Sequence, residues 1–226
     1  TLHNTLFPYT TLFRSTIDVF FAAMARYNAD HAGLVALLAG LSMAAFAGAV
    51  LGTRAPWQDR AVGAVLAAGA LMCGWAHQSG MMADLNFLAG VYGPVWVVQG
   101  GLLAGTLALK PRLRFAAGVD RARLGGLAIA AVGLIGYPLA LFAVGVAPAS
   151  LPLAGSAPDA TAILIAGLLA AAQGPRWLRL GLMLVPLGWG GVAAASAYLL
   201  AFAADALIPL AALGAAALTL MDRGTR

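Results

Sequence analysis

Side chains that could bind a ligand are sparse in this sequence, and five of them lie in or beside polar gaps between long apolar runs. They are His77, Asp84, Asn86, Asp159 and Asp205. An imidazole and several carboxylates gathered on one side of a protein could hold a divalent cation or receive a polar ligand. Their spacing matches no metal motif, so the pattern predicts a ligand-binding site rather than a metal site.

Two further candidates lie inside apolar runs. Gln99 and Tyr137, together with Ser196, would line a polar path if one crossed the protein. A purely structural interpretation of the polar residues stays open beside these. Asp159 has the position of a helix N-cap, and His77 stands near the end of an apolar run, where an interfacial histidine is ordinary.

The motifs of common enzyme classes are absent from the sequence. It contains no G-x-S-x-G, no H-E-x-x-H, no Walker loop and no dinucleotide fingerprint. Its single cysteine, Cys73, excludes an intrachain disulfide and a multi-cysteine metal site. Catalysis through His77 and Asp159 would lack a visible set of nucleophile, base and orienting group. We therefore predict no catalytic residue, no metal and no cofactor.

The composition indicates what kind of elements must position these residues. Of the 226 residues, 62% are hydrophobic and only 9% are charged. A soluble domain carries about a quarter charged residues. A soluble protein this apolar could not cover its surface with polar groups, whereas a lipid bilayer removes that requirement. The composition predicts an integral membrane protein.

Seven apolar runs are candidates to cross about 30 Å of hydrocarbon. Each must be helical, because a lone strand in lipid would leave its backbone amides unpaired. The predicted fold is an all-α, polytopic transmembrane bundle, preceded by a short interfacial amphipathic helix at residues 17–28. The weakest span is 160–173, which is short for a crossing. The predicted spans are 33–52, 61–78, 87–109, 124–144, 160–173, 177–200 and 206–221.

The basic residues indicate how the bundle is oriented. They collect in alternate gaps, whereas the gaps at 79–86, 145–159 and 201–205 contain neither Lys nor Arg. The positive-inside rule predicts a bacterial inner-membrane protein with its N-terminus outside and its C-terminus in the cytoplasm. The basic residues in the other gaps are Arg54, Arg60, Lys110, Arg112, Arg114, Arg121, Arg123, Arg176, Arg179, Arg223 and Arg226.

The net charge of +5 suggests nucleic acid at first sight, but the basic residues are spread over short gaps and form no phosphate-binding face. We predict no nucleic-acid partner. The largest basic group, from Lys110 to Arg123, is expected to contact anionic lipid head groups of the bilayer.

Small residues recur along the first predicted span. Gly40, Ala44, Gly48 and Gly52 lie four residues apart, a stripe that predicts close helix packing.

The eleven residues 5–15 resemble the in-frame translation of a widely used short-read sequencing adapter. We therefore expect residues 1–15 to be non-native and residues 16–226 to form a single transmembrane helical domain.

Four short stretches carry a resemblance to a known family. They are G-W-A-H ending at His77, V-V-Q-G-G ending at Gly101, Y-P-L from Tyr137, and P-D-A-T-A-I-L-I-A-G from Pro158. With the order of the apolar runs, they resemble an uncharacterised family of bacterial multi-pass membrane proteins, catalogued as a domain of unknown function. The resemblance covers nearly all of residues 16–226. It implies a helical membrane fold and no activity.

Two functions remain open. The first is a binding or accessory membrane protein with a polar rim facing outward. The alternative is a transporter or channel for a small solute, which would use helices bent at Pro94, Pro138 and Pro186. A polar path through the bundle would favour transport, and a closed apolar interior below a polar cup would favour binding.

Overall fold

The computed structural model describes residues 17–52, 55–199 and 202–222, and within them the chain is a bundle of α-helices. The all-α prediction is therefore confirmed. The predicted segment 1–15, Arg54, Arg223 and Arg226 lie outside the described residues. The α-helices of the described part are α1 Ile17–Asp30, α2 Ala32–Leu51, α3 Pro56–Met72, α4 Ala89–Leu103, α5 Arg121–Ala131, α6 Tyr137–Ala143, α7 Pro158–Ala171, α8 Arg176–Leu182, α9 Leu184–Leu199 and α10 Leu207–Met221.

Three π-helical segments of the described part extend or join these helices. Helix α3 continues as Cys73–Met81, α4 continues as Ala104–Leu109, and Val132–Gly136 joins α5 to α6. The last of these has a cause in the sequence, because Pro138 lacks an amide hydrogen and its ring crowds the preceding turn. The wider turn before Pro138 keeps α5 and α6 in one continuous helical segment.

In the part of the chain that the structure describes, five helical segments are long and apolar enough to cross a membrane: Ala32–Leu51, Pro56–Met81, Ala89–Leu109, Arg121–Ala143 and Ala203–Met221. Helices α8 and α9 make a sixth if they count as one span, although they are bent by 41° at Met183. Helix α7 has 14 residues. At 1.5 Å per residue it is about 21 Å long, which is short for a lone crossing. The total of seven spans stays a prediction.

Helix α7 lies at the centre of the bundle. Every one of its residues except Asp159 is buried. It packs against α3, α5, α9 and α10. A helix that is apolar on all sides is stable when other helices surround it. Because protein replaces lipid around α7, its length need not match the thickness of a bilayer.

Glycines allow α5 and α7 to pack backbone against backbone. A Cβ atom on Gly126 would lie 2.4 Å from the amide nitrogen of Ala171, and one on Gly167 would lie 2.3 Å from that of Ala130. The stripe on α2 was predicted to make such a contact. That prediction is wrong for Gly40, which is exposed and has no atom within 4 Å of where its Cβ would be.

The loops between helices gather at two ends of the bundle. At the end that we call the basic end, Arg114 pairs with Gln173 through backbone hydrogen bonds, and Arg179 forms a 2.6 Å ion pair with Asp222. The guanidinium of Arg123 is also buried there. It donates four hydrogen bonds to the backbone carbonyls of Ala49, Val50, Ala116 and Gly118. The opposite end, which carries Asp84, Asp159 and Asp205, we call the acidic end.

Candidate functional site

A cavity of about 90 Å³ lies at the acidic end. Its walls come from α1, the π-helical segment after α3, and helices α6, α7 and α9, together with the 3₁₀ turn Ala203–Ala206. Five of the seven residues predicted from the sequence line it, although they come from four separate parts of the chain. These five are His77, Asn86, Tyr137, Asp159 and Asp205.

Asp159 lies in the first turn of α7 and is partly exposed to the cavity. The indole Nε1 of Trp189 donates a 2.8 Å hydrogen bond to its Oδ1 atom. The interpretation of Asp159 as a helix N-cap is wrong, because α7 begins at Pro158 and its N-cap is Ala157. The positive end of the helix dipole still favours a carboxylate at this position.

Asp205 lies in the 3₁₀ turn that leads into α10. The buried phenol of Tyr137, at the start of α6, donates a 2.8 Å hydrogen bond to Asp205 Oδ1. Both cavity carboxylates therefore accept a hydrogen bond from an aromatic side chain on another helix. These two hydrogen bonds hold both carboxyl groups in place on the cavity wall.

His77 and Gln78 lie side by side in the π-helical segment and are almost completely buried, with exposed fractions of 2% and 1%. The Gln78 amide nitrogen lies 3.4 Å from His77 Nδ1. An amide N–H can only donate, so a hydrogen bond between these two atoms requires the tautomer in which Nδ1 accepts and Nε2 carries the proton. Neither His77 Nε2 nor Gln78 Oε1 has a hydrogen-bond partner among the described residues. The interpretation of His77 as an interfacial side chain is therefore wrong.

Helix α1 covers one side of the cavity with Phe20 and Phe21. The ring of Phe21 meets that of Phe202 edge to face, with centroids 5.6 Å apart. At the other end of α1, the Tyr27 hydroxyl donates a 2.9 Å hydrogen bond to the carbonyl of Ser156. Burial raises the pKa of Tyr27, which keeps the hydroxyl a donor. The amphipathic helix predicted here thus packs its apolar face on the protein.

The other two predicted residues lie elsewhere. Asp84 is exposed and lines a separate surface groove with Arg26, Asp30 and His31. Gln99 is buried inside the bundle, where its amide nitrogen donates a 2.8 Å hydrogen bond to the carbonyl of Leu182. That bond ties α4 to the bend between α8 and α9, so Gln99 has a structural contact of its own.

Sequence reasoning missed the aromatic wall of the cavity. Trp189, Phe20, Phe21 and Phe202 all line it. Trp189 also contacts Tyr92 and Trp96 edge to face, at centroid distances of 5.5 and 5.9 Å. A signal was present for Trp189, because an indole N–H within an apolar helix needs an acceptor, and few carboxylates were available to provide one.

The chemistry of the cavity is that of binding. Within the part of the chain that the structure describes, no three His, Cys or Asp side chains come together in a way that could hold a metal ion. The cavity instead combines two carboxylates, an imidazole and two amides with aromatic walls. A few polar groups set in an apolar wall are typical of sites for small molecules.

Over the described residues, the fold and the cavity define an all-helical protein with five to six helices fit to cross a membrane and a polar cavity at one end. The chain belongs to a family of unknown function, DUF6064, whose sequence profile matches residues 17–226. The resemblance noted from the sequence is therefore confirmed as membership in an uncharacterised family. No curated protein matches the chain. No solved structure matches it either.

Proposed function

We propose that this protein is an integral membrane protein of the bacterial inner membrane that binds a small solute in the cavity at its acidic end. The N-terminus lies outside and the C-terminus in the cytoplasm, so the acidic end faces outward. The charge pattern supports this orientation, because the exposed residues Lys110, Arg112, Arg114 and Arg121 all lie at the basic end.

The observation that carries the binding function is the contrast between the cavity and the helix below it. Asp159 at the start of α7 lines the cavity, whereas the ten residues from Ala162 to Ala171 are apolar and buried. Of the three residues that would mark a transport path, Tyr137 and Ser196 line the cavity, and Gln99 is bonded to the backbone instead. A polar cup above an apolar floor supports binding.

A transporter is the second candidate, and one observation favours it. Helices α8 and α9 are bent by 41° with Met183 between them. Interrupted helices of this kind surround the substrate sites of many secondary transporters. The bend lies next to the hydrogen bond between Gln99 and Leu182. A change in that contact would be needed to open a path below the cavity.

We also propose that anionic lipid head groups bind at the basic end. Four of the five basic residues between Lys110 and Arg123 are exposed, which leaves their charges available to lipid phosphates. Arg123 is the exception, because backbone carbonyls surround its guanidinium.

The binding proposal can be tested by thermal unfolding of the purified protein in detergent. Ethanolamine, glycine, glycerol and acetate would serve as cationic, zwitterionic, neutral and anionic probes. A solute that binds only the folded state at about 100 times its Kd adds roughly 2.7 kcal/mol to the free energy of unfolding. In a domain of this size, each added kcal/mol raises the Tm by about 2–4 °C.

The comparison that decides the question is with a variant whose cavity is filled. Ser196→Phe places a ring in the cavity, and Ala195→Phe places one on the exposed face of the same helix. We expect at least one solute to raise the Tm of the wild type and of Ala195→Phe but not that of Ser196→Phe. Equal stabilisation of all three proteins, or no stabilisation by any probe, would contradict the proposal.

A further inference from the structure

The cavity has acidic side chains without a basic counterpart. Asp159 and Asp205 both line it, and none of the other described residues that line it is Lys or Arg. Neither carboxylate forms an ion pair with a described residue. A cationic ligand would supply the missing counter-charge, and it would be attracted more strongly than in water because the apolar surroundings screen charge poorly.

The walls of the cavity suit an organic cation. Rings of Phe20, Phe21, Trp189 and Phe202 line it together with the phenol of Tyr137. The face of an aromatic ring attracts an ammonium group, and this attraction grows when water is excluded. Among the described residues, no three His, Cys or Asp side chains gather in a way that could hold a metal ion, and the cavity offers Mg²⁺ or Ca²⁺ only two carboxylates.

Two buried atoms provide an independent observation. Gln78 Oε1 and His77 Nε2 belong to side chains that line the cavity, are at least 98% buried, and have no hydrogen-bond partner among the described residues. A buried polar atom without a partner loses its hydration with no compensation. Gln78 Oε1 can accept from an N–H group, and the protonated His77 Nε2 can donate to an oxygen.

We propose that the cavity binds a small protonated primary amine that also carries a hydrogen-bond acceptor, such as an amino alcohol. The ammonium group is held by Asp159 and Asp205, and Gln78 and His77 complete its recognition. The cavity volume of about 90 Å³ limits the bound part to a few non-hydrogen atoms. This inference rests on the proposed binding function and names its ligand class.

The test is a binding titration of the intact protein, monitored by tryptophan fluorescence because Trp189 lines the cavity. Ethanolamine is the probe, and ethylene glycol is its uncharged counterpart of nearly equal size. NaCl at the same ionic strength tests for an inorganic cation. We expect saturable binding of ethanolamine alone, without a comparable response to ethylene glycol or to NaCl.

Variants then assign the site. Asp159→Asn and Asp205→Asn should each weaken ethanolamine binding by roughly thirtyfold or more, since each removes one partner of a desolvated charge pair. Asp84→Asn is the matched control, because Asp84 is an exposed carboxylate outside the cavity. Phe202→Ala should weaken binding about two- to fivefold through the lost contact with an aromatic face.

The outcomes separate the inference from the function on which it rests. Equal binding of ethylene glycol, equal competition by NaCl, or full affinity in both cavity variants would overturn the amine assignment. If glycerol or acetate, but not ethanolamine, raises the Tm of the wild type and not that of Ser196→Phe, the binding function stands and the amine assignment fails. If none of the four probes raises the Tm of the wild type, the binding function and the amine assignment are both wrong.

The same chemistry occurs in a free amine and in a phosphatidylethanolamine head group. Reconstitution in phosphatidylcholine vesicles with and without phosphatidylethanolamine distinguishes these sources. Weaker binding of added ethanolamine in the vesicles that contain phosphatidylethanolamine identifies the head group as the occupant. Unchanged affinity in those vesicles identifies a free amine. Either result supports the assignment of the cavity to a protonated amine.

Discussion

The phenol oxygen of Tyr137 lies 2.8 Å from a carboxylate oxygen of Asp205, although 68 positions separate the two residues in the chain. This hydrogen bond joins the start of α6 to the turn before α10, on the wall of the cavity. It shows how the bundle fixes a carboxylate among apolar helices. A neighbouring helix provides the donor that water would otherwise provide.

Removing that donor should destabilise the fold. Tyr137→Phe deletes one oxygen and leaves Asp205 with a lost hydrogen bond, which should lower the free energy of unfolding by about 1–3 kcal/mol. Thermal unfolding in detergent provides the measurement. Tyr198→Phe is the matched control, because Tyr198 is 86% exposed. A Tm for Tyr137→Phe equal to that of the control would show that the bond contributes nothing.

The contact between α5 and α7 should tolerate no added methyl group. Gly126→Ala forces a Cβ against the backbone of Ala171, and overpacking of this kind costs about 1–3 kcal/mol. Gly191→Ala adds the same atom on α9, where no atom lies within 4 Å of it. We expect a lower Tm only for Gly126→Ala. If both variants unfold at the wild-type temperature, α5 and α7 do not make the close backbone contact seen in the structure.

At the basic end, Arg123 should act as a structural residue. Arg123→Gln removes a guanidinium that donates to four carbonyls, so we expect a loss of roughly 3 kcal/mol or more in the free energy of unfolding. Arg121→Gln alters an exposed neighbour and should leave stability almost unchanged. Binding to anionic vesicles is the second measurement. Arg121→Gln should weaken this binding, because Arg121 is exposed and should contribute to it. Equal losses of stability would contradict this division of roles.

The orientation can be read from reporter fusions. Activity of a periplasmic reporter is expected after Asp84 and Asp159, and activity of a cytoplasmic reporter after Arg123 and Arg223. The reason is the excess of basic residues in alternate loops. If the reporters after Asp159 and Arg223 lie on the same side, one of the three helical segments between them does not cross the membrane as proposed.

Much of this architecture could be predicted from the sequence because helix length and apolarity are local properties. The helices of the structure overlap all seven predicted apolar runs. The gathering of His77, Asp159 and Asp205 could also be anticipated, since alternate loops of a bundle meet at one end. Local patterns were sufficient for these features.

The contacts within the site were not predictable in the same way. His77 was predicted as a ligand-binding residue, with an interfacial position as the structural alternative. It lies in a π-helical turn and is buried beside Tyr27, with ring centroids 5.4 Å apart. Asp159 was interpreted as a cap, whereas its partner is Trp189, which is 30 residues away. Such pairings depend on the rotation of each helix about its axis, and a sequence rich in Ala and Gly leaves that rotation open.

The central claim is that the cavity opens at the acidic end and is closed below. Ser196→Cys places a thiol in the cavity, and the native Cys73 is completely buried and serves as an unreactive internal control. The measurement is its rate of modification by a membrane-impermeant, cationic methanethiosulfonate added to either side of sealed membrane vesicles. We predict reaction from the outer side alone. Modification from the cytoplasmic side would demonstrate a path through the bundle and contradict it.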